Sequence, residues 1–342
     1  MAEKTLAVKY RPETWDDVVE QTAIKYILQQ QIATGSHKNA YLFAGGAGTG
    51  KTTCARIFAR EINKHAGNPI ELDAASNNSV DDMRNLIQSA KTKSLDSEYK
   101  VFIVDECHMI TNAGWNALLK LIEEPPAKSI FIFCTTDPQK IPKTILSRVQ
   151  RYDFRRISVD GIVKRLDEIL ESERNEDAAH DIEALTYLAK LADGGMRDAI
   201  TLMDKCLAYS PDLTIRNIVT ALGTVNYDEF FNLTDFIITH DEAALIRLIE
   251  NVHMSGKDLK QFVKSYMGFV LDLCKYNITD NFDCIDIPSS YSDRLNQYNA
   301  HAYLDFVKIL ERITKLNAEI KWDSAPKISI EAALLLLSRE LV

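Results

Sequence analysis

A glycine-rich segment has the residue spacing of a phosphate-binding loop. It fits the pattern G-x-x-x-x-G-K-[ST] and reads Gly45, Gly46, Ala47, Gly48, Thr49, Gly50, Lys51 and Thr52, followed by Thr53. A predicted strand at residues 40–44 precedes it and a predicted helix at residues 52–63 follows it, which is the context that such loops require. Glycines allow backbone N–H groups to point at phosphate oxygens, and the helix N-terminus adds positive potential. We therefore expect Lys51 to reach the β and γ phosphates of ATP, and Thr52 to bind Mg²⁺.

Two acidic residues follow another predicted strand. Residues 101–104 are apolar, and Asp105 and Glu106 come directly after them. Parallel strands bring such ends to the ligand crevice of an open sheet. Asp105 is expected to hold Mg²⁺, directly or through water, and Glu106 to polarise an attacking water as a general base. Taken alone, the two charges would suit a solvated strand end, but the phosphate loop in the same chain favours the catalytic interpretation.

Other candidate residues have both a functional and a structural interpretation. Residues 194–199 open a predicted helix from which Arg197 could close onto a bound nucleotide or could instead pair with Asp198 on a solvated surface. His108 is interpreted as a helix-start residue rather than a metal ligand, because no partner ligands stand at zinc spacing. Basic side chains concentrate in residues 138–165, which suits a solvated face or a phosphate partner, either DNA or a neighbouring subunit's nucleotide. They are Lys140, Lys143, Arg148, Arg151, Arg155, Arg156, Lys164 and Arg165.

The elements that must position these residues alternate between strand and helix in the first half of the chain. Short apolar runs predict strands at residues 40–44, 69–72, 101–104 and 130–134, and longer periodic segments predict helices at residues 52–63, 80–90 and 113–123. Ser79, with Asp82 three residues later, is typical of a helix start. The alternation indicates an α/β fold, in which helices cover both faces of a parallel sheet.

Strand signals vanish after about residue 157. Amphipathic helices are predicted at residues 161–173, 181–191 and 197–208, and the chain is helical again from residue 213. We therefore expect three domains, namely a phosphate-loop domain at residues 1–157, a small helical domain at 158–211 and an all-α domain at 212–342.

The composition excludes several classes of protein. The chain has 342 residues, of which 46% are hydrophobic, so it can form cores and is not disordered as a whole. No apolar run approaches the ~20 residues that cross a bilayer, and the N-terminus has no secretory pattern. The formal net charge of −9 means that DNA binding would need basic residues gathered on one face or supplied by an assembly. Six scattered cysteines without a C-x-x-C pair indicate free thiols and argue against a zinc site.

The motifs described above, in the order in which they occur along the chain, resemble those of an AAA+ ATPase. In detail they resemble the gamma/tau subunits of the bacterial DNA polymerase III clamp loader. The resemblance is carried by residues 9–12, 15–21, 73–77, 118–126, 135–142, 145–148 and 194–199, and it runs from about residue 4 to the end of the chain. It implies an AAA+ P-loop domain, a helical lid domain and an all-α oligomerisation collar domain for the three predicted regions.

The resemblance also implies roles that spacing alone does not assign. Thr136 stands where the family has sensor 1, on the γ-phosphate side, and Arg197 stands at sensor 2. Arg148 stands where the family has an arginine that reaches the neighbouring subunit's ATP and neutralises charge on the transferring phosphoryl group. The implied adenine and ribose pocket consists of Tyr10, Arg11, Pro12, Val18 and Val19. The helix after Glu106 is the implied contact with the sliding clamp.

Three departures from the family pattern are visible. Val149 replaces the usual Cys after the arginine, which leaves the charged group in place. The family's four-cysteine zinc module is missing, because residues 61–67 run straight to the next strand without a cysteine, so we expect no zinc. The chain ends at the collar, which indicates a short gamma-like form or a compact phage version.

The expected function is that of a cytoplasmic, nucleoid-associated motor subunit that hydrolyses ATP to open a sliding clamp and load it onto primer–template DNA. Its implied partners are other clamp-loader subunits in a pentameric hetero-oligomer, the clamp and the DNA, with no membrane. One alternative is a homohexameric AAA+ motor for DNA remodelling or branch migration, although the all-helical third domain speaks against it. The other alternative is a structural subunit without activity, which typically lacks the loop lysine or the strand acids.

Overall fold

The computed structural model describes residues 5–173, 181–223, 227–298 and 303–341. They fall into two compact units. The bounds are Met1–Asp177 with Leu188–Asp204 for the first unit, and Ala178–Tyr187 with Lys205–Val342 for the second. This division does not test the expected domain boundaries at residues 157 and 211, which stay a prediction.

The first unit is built on a sheet of five strands, in which every pairing is parallel. The strands are β1 (Ala40–Gly45), β2 (Ile70–Asp73), β3 (Lys100–Asp105), β4 (Ser129–Thr135) and β5 (Gln150–Phe154), in the spatial order β2-β3-β4-β1-β5. The four predicted strands are confirmed. Strand β5 was not predicted, because its buried Tyr152 and Phe154 alternate with exposed Arg151 and Asp153, so this edge strand has no continuous apolar run.

The helices up to residue 209 include all those predicted there, each within two residues of its predicted bounds. They are α1 (Leu6–Lys9), α2 (Thr22–Thr34), α3 (Lys51–Ile62), α4 (Val80–Ala90), α5 (Asn112–Glu123), α6 (Lys143–Leu146), α7 (Val159–Glu173), α8 (Ile182–Leu191) and α9 (Met196–Tyr209). Short 3-10 turns lie at Cys107–Met109 and Pro138–Lys140. The predictions for α3, α4, α5, α7, α8 and α9 are confirmed, whereas α1, α2 and α6 were not predicted.

Two apolar cores cover the two faces of the sheet. Successive side chains of a strand point to opposite faces, and in β1 Tyr41 and Phe43 enter one core while Leu42 enters the other. Phe58 of α3 packs in the first core and Trp115 of α5 in the second. Because both faces are covered, β1 is buried almost to its last residue and provides a rigid base for the loop that follows it.

Helix α4 begins with a reciprocal cap. Ser79 Oγ accepts a hydrogen bond from the Asp82 backbone N–H at 3.2 Å, and Asp82 Oδ2 accepts one from the Ser79 backbone N–H at 3.0 Å. The two residues thus satisfy two backbone donors that would otherwise lack partners at the helix start. The helix start predicted from these two residues is confirmed.

Replacing Ser79 with alanine is expected to lower the free energy of unfolding by about 1 kcal/mol, the usual cost of losing a cap. Urea unfolding followed by circular dichroism measures this loss. Ser89→Ala in the last turn of α4 is the matched control, because alanine favours the helix interior and Ser89 makes no cap there. Equal unfolding midpoints for the two variants would show that the cap contributes nothing.

In the described residues of the second unit, the secondary-structure elements are all helices or 3-10 turns. Besides parts of α8 and α9, it contains α10 (Ile215–Leu222), α11 (Tyr227–Ile238), α12 (Glu242–Met254), α13 (Leu259–Thr279), α14 (Ser292–Gln297), α15 (Tyr303–Glu319) and α16 (Pro326–Glu340). Short 3-10 turns lie at Phe282–Cys284, Ser289–Tyr291 and Ile320–Trp322. Its core combines aliphatic side chains with a cluster of aromatic rings, in which Phe231 stacks on Tyr298 at 5.8 Å between ring centroids and packs edge-on against Phe269 at 4.9 Å. No described helix of the chain is long and apolar enough to cross a membrane.

Candidate nucleotide-binding site

Three loops meet at the carboxyl edge of the sheet. The predicted phosphate loop follows β1, Asp105 and Glu106 stand at the end of β3, and Thr136 follows β4. Since β4 lies between β1 and β3, Thr136 is placed between the loop and the acidic residues. Parallel strands gather ligand-binding groups at this edge, so the sheet accounts for the convergence of groups that are far apart in the sequence.

Lys51 is held inside the phosphate loop by the loop's own backbone. Its Nζ donates hydrogen bonds to the carbonyl oxygens of Gly45 at 2.9 Å and Gly46 at 2.7 Å. The residue is 6% exposed, and burial lowers the pKa of its ammonium group. The nearby carboxylates of Glu106 and Asp105 raise that pKa in part, and a phosphate anion beside the ammonium would raise it further. The position therefore suits the predicted contact with phosphate.

Glycine is required at two positions of this region by close backbone contacts. A Cβ atom at Gly45 would lie 2.5 Å from the Phe154 carbonyl oxygen. Gly48 has φ of +67°, and a Cβ there would lie 3.0 Å from the Gly195 Cα atom. Any side chain at either position would therefore clash with backbone atoms of a neighbouring segment.

Thr52 and Asp105 form the pair that the sequence predicts to hold Mg²⁺. Thr52 Oγ1 donates a hydrogen bond to Asp105 Oδ2 at 2.7 Å, which brings two oxygen ligands to one point beside the loop. Asp105 Oδ1 accepts a hydrogen bond from the Glu106 backbone N–H at 3.0 Å, which fixes the carboxylate plane. One carboxylate and one hydroxyl suit Mg²⁺, which usually takes its remaining ligands from water and substrate phosphates. The donor set fits the ion.

The expected absence of a structural zinc ion is not tested by the structure. In the described part of the chain, no three or more His, Cys, Asp or Glu side chains cluster as they would around a metal ion. Of the cysteines, Cys54, Cys107, Cys134, Cys206 and Cys274 are buried, and Cys284 is exposed. The absence of a structural zinc stays a prediction.

Glu106 is held in an uncommon backbone conformation. Its φ of +46° lies in the left-handed region, which residues other than glycine seldom occupy. Its Oε2 atom accepts a hydrogen bond from Thr136 Oγ1 at 3.1 Å. Backbone strain of this kind persists only where the surroundings impose it, and it concentrates at functional sites. The structure thus joins two predicted site residues that lie 30 positions apart.

A single cavity joins the phosphate loop to most of the other predicted binding residues. The sequence-predicted residues that line it are Tyr10, Arg11, Pro12, Val18, Val19, Ala47, Gly48, Thr49, Gly50, Lys51, Thr52, Thr53, Asp105, Glu106 and Arg197. Gly45 and Gly46 are not among the lining residues and act through their carbonyl groups on Lys51. Thr136 and Arg148 also lie outside the lining, and Thr136 reaches the site through Glu106.

Seven lining residues were not predicted from the sequence. They are Ala7, Asp17, Ile157, Arg165, Met196, Asp198 and Ile200. Arg165 belongs to the basic stretch at residues 138–165 and Asp198 to the helix start at residues 194–199, but no spacing rule assigned either residue to the cavity. The apolar residues among them could not be predicted, because in the sequence an Ala or Ile that lines a cavity is indistinguishable from one that lies in the core.

The entrance to α9 packs directly on the phosphate loop. The Met196 backbone N–H donates a hydrogen bond to the Gly48 carbonyl oxygen at 3.0 Å, which brings Arg197 to the cavity. Arg197 and Asp198 form no ion pair with each other in the part of the chain that the structure describes. Burial lowers the pKa of Arg11, and the nearby charges of Arg56 and Arg197 lower it further. Such a group of cations suits a polyanionic ligand.

Arg148 lies away from this cavity. Its Nε atom pairs with Glu123 Oε1 at 2.6 Å, and its Nη1 atom donates a hydrogen bond to the Thr144 carbonyl oxygen at 2.6 Å. The side chain is 38% exposed. Other basic residues of the 138–165 stretch also pair with acids, in the ion pairs Lys140–Asp137, Arg151–Asp153, Arg156–Asp193 and Arg165–Glu168. Much of the positive charge of the stretch is therefore balanced locally.

His108 was predicted to stand at the start of a helix, but no α-helix begins at this residue. It lies in the 3-10 turn Cys107–Met109, and α5 begins only at Asn112. The reason is the left-handed conformation of Glu106, which turns the chain sharply after β3.

Family models match two consecutive segments of the chain. The model described as "DNA polymerase III, delta subunit" matches residues 68–158, and the model described as "DNA polymerase III clamp loader subunit, ATPase lid domain" matches residues 161–212. A third model, described as "Zeta toxin", matches residues 25–109, which contain the phosphate loop and the acidic strand end.

Solved structures with the same fold include the Thermotoga maritima RuvB Holliday junction branch migration motor. It is 19% identical to this chain, with a TM-score of 0.52 over 73% of this chain and 86% of its own. A variant of the same protein has a TM-score of 0.51. Identity this low shows the fold alone, which agrees with the predicted AAA+ P-loop domain, while the lid-domain model and the helices of the second unit bear out the helical lid and the all-α region.

Curated relatives match most of the chain. "DNA polymerase III subunit tau" of Bacillus subtilis is 32% identical over 98% of this chain and 63% of its own length. The Escherichia coli protein of the same name is 33% identical over 79% of this chain and 45% of its length. "DNA polymerase III subunit gamma/tau" of Mycobacterium tuberculosis is 33% identical over 94% of this chain and 60% of its length. The chain thus spans 45–63% of the length of these relatives, and over that part it is similar to the gamma/tau subunits of DNA polymerase III.

Proposed function

We propose that this chain binds ATP with Mg²⁺, hydrolyses it, and serves as a motor subunit of a clamp loader in DNA replication. The observation that carries the ATPase proposal is the convergence of Lys51, the Thr52–Asp105 pair and the Glu106–Thr136 pair at one edge of the sheet. A protein that only bound the nucleotide would not need Glu106 beside the phosphate loop. The names of the relatives support the replication role.

Each residue of the site has a distinct task in this proposal. Lys51 and the backbone N–H groups of residues 46–52 bind the β and γ phosphates, while Thr52 and Asp105 hold Mg²⁺, which would neutralise phosphate charge. Glu106 accepts a proton from the attacking water, and Thr136 orients its carboxylate. Arg11 and Arg197 add positive charge at the cavity, and Tyr10, Pro12, Val18 and Val19 surround the base and ribose.

The motor function follows from differential binding. ATP would favour an arrangement of subunits that holds an open clamp and grips primer–template DNA through its backbone, and loss of the γ-phosphate would remove that preference. The start of α9 is suited to couple nucleotide binding to such a rearrangement, because the Met196 backbone contacts the Gly48 carbonyl while Arg197 lines the same cavity. The proposed partners are related loader subunits in a pentameric hetero-oligomer, the sliding clamp and DNA.

The experiment that tests the loader proposal is the native mass of the tagged chain isolated from its own cells, with identification of the subunits. A five-subunit assembly that contains related AAA+ chains is the expected result. A symmetric hexamer of this chain alone would contradict it and would support the alternative of a homohexameric remodelling motor. The structural likeness to RuvB does not itself favour that alternative, because it concerns the fold.

Arg148 is proposed to act on the ATP of a neighbouring subunit. It lies outside the lining of its own cavity and is exposed, so Arg148→Ala should leave ATP affinity unchanged while the neighbour's hydrolysis falls by about 10³-fold. The measurement is ATP turnover in assemblies that mix Arg148→Ala with Lys51→Ala subunits. Arg151→Ala, which removes an exposed arginine of the same stretch, is the control. A defect confined to the mutated subunit's own ATP would refute the role in trans.

A further inference from the structure

His108 contacts the carboxylate that the proposed reaction uses as its base. Its Nδ1 atom lies 3.3 Å from Glu106 Oε2 and 3.2 Å from Thr135 Oγ1. The imidazole side chain is 13% exposed, so water has limited access to these contacts. The contact arises because the 3-10 turn after β3 folds His108 back towards the end of β4.

The surrounding groups indicate which nitrogen of His108 carries a proton. Thr135 Oγ1 accepts a hydrogen bond from the Asp137 backbone N–H at 3.0 Å. A bare Nδ1 would turn its lone pair towards the Glu106 carboxylate, which is repulsive. An Nδ1–H group would be attracted to both neighbouring oxygens, so the geometry favours the proton on Nδ1.

Both donors that reach the Glu106 carboxylate contact the same oxygen. Thr136 Oγ1 lies 3.1 Å from Oε2 and His108 Nδ1 lies 3.3 Å from it. In the described ranges, no side chain or backbone group donates a hydrogen bond to Oε1. The left-handed backbone at Glu106 makes the direction of its side chain depend on such contacts rather than on local preference.

We infer that His108 is a positioning residue for Glu106, whose Nδ1–H anchors Oε2 and thereby leaves Oε1 to take the proton of the attacking water. The histidine itself transfers no proton. This inference rests on the proposed ATPase function and deepens it, because it assigns the two carboxylate oxygens different tasks. It predicts that loss of the histidine slows turnover while ATP binding is retained.

Three substitutions of His108 test the inference in the full chain, purified with whatever subunits accompany it. The Asn side-chain amide can occupy the position of Nδ1, whereas the Gln amide extends to that of Nε2. We expect His108→Ala and His108→Gln to lower ATP turnover at saturating ATP by about tenfold, with less than a twofold change in ATP dissociation constant. His108→Asn should recover most of the turnover. His253→Ala, an exposed histidine of the second unit, should change neither quantity.

A double-mutant cycle on ATP turnover distinguishes a positioning role of His108 from a merely structural one. If His108 acts through Glu106, then His108→Ala should cost no further turnover in the Glu106→Gln background. Turnover of His108→Asn as low as that of His108→Ala, or full additivity with Glu106→Gln, would overturn the inference. These outcomes differ from a failure of the ATPase proposal, which would show as wild-type protein without turnover or as Lys51→Ala with unchanged ATP affinity.

Discussion

Lys51→Ala is expected to abolish ATP binding under ordinary assay conditions. The Lys51 ammonium is buried at the loop, and the hydrogen bonds that it donates among the described residues go to the neutral carbonyls of Gly45 and Gly46, so its charge is available for the phosphates. Hydrogen bonds to charged groups contribute about 1.5–3 kcal/mol each, and the loss of two weakens binding by at least about a hundredfold. Titration with a fluorescent ATP analogue and isothermal calorimetry both measure this loss.

The substitution should not unfold the protein. A buried ammonium carries a desolvation cost, and burial already lowers the pKa of Lys51, so alanine should leave the melting temperature without nucleotide nearly unchanged. ATP should raise the melting temperature of the wild type but not of Lys51→Ala, because ligands stabilise only the state that binds them. Lys93→Ala removes an exposed lysine and serves as the control. Unchanged ATP affinity in Lys51→Ala would refute the phosphate-loop assignment.

Glu106→Gln is expected to bind ATP and to turn it over about 10²–10⁴-fold more slowly. Glutamine has the same shape, so its oxygen can still accept the Thr136 hydrogen bond, but the neutral amide cannot take the proton from water. Single-turnover hydrolysis separates this chemical step from product release. The ATP dissociation constant, measured on the same preparation, should change by less than about threefold.

Glu124→Gln is the matched control for this prediction, because Glu124 is exposed at the end of α5. It should retain both binding and turnover. Near-normal turnover in Glu106→Gln would show that another group acts as the base, and it would remove the basis of the inference about His108. Loss of ATP binding in Glu106→Gln would instead indicate that the carboxylate supports the loop.

Local sequence was sufficient for the elements and motifs that depend on neighbouring residues. The apolar runs of β1 and β3, the glycines before Lys51 and the Ser79–Asp82 cap were all recognisable, because burial, backbone torsion and capping are set within a few positions. The phosphate loop and the acidic strand end were therefore predictable as separate pieces. The resemblance to a family supplied further expectations that spacing did not, such as the adenine pocket, all five residues of which line the observed cavity.

The relations between these pieces depend on strand order and loop geometry. Insertion of β4 between β1 and β3 brings Thr136 to Glu106, and the contact of Gly48 with Gly195 sets Arg197 at the cavity. Strand β5 was missed because a half-buried edge strand gains its stability from pairing with β1, which no local pattern reveals. His108 reaches Glu106 only through a left-handed turn imposed by packing. Contacts of this kind join residues that are distant in the chain or held in unfavourable torsions, so the packed fold establishes them and local preference does not.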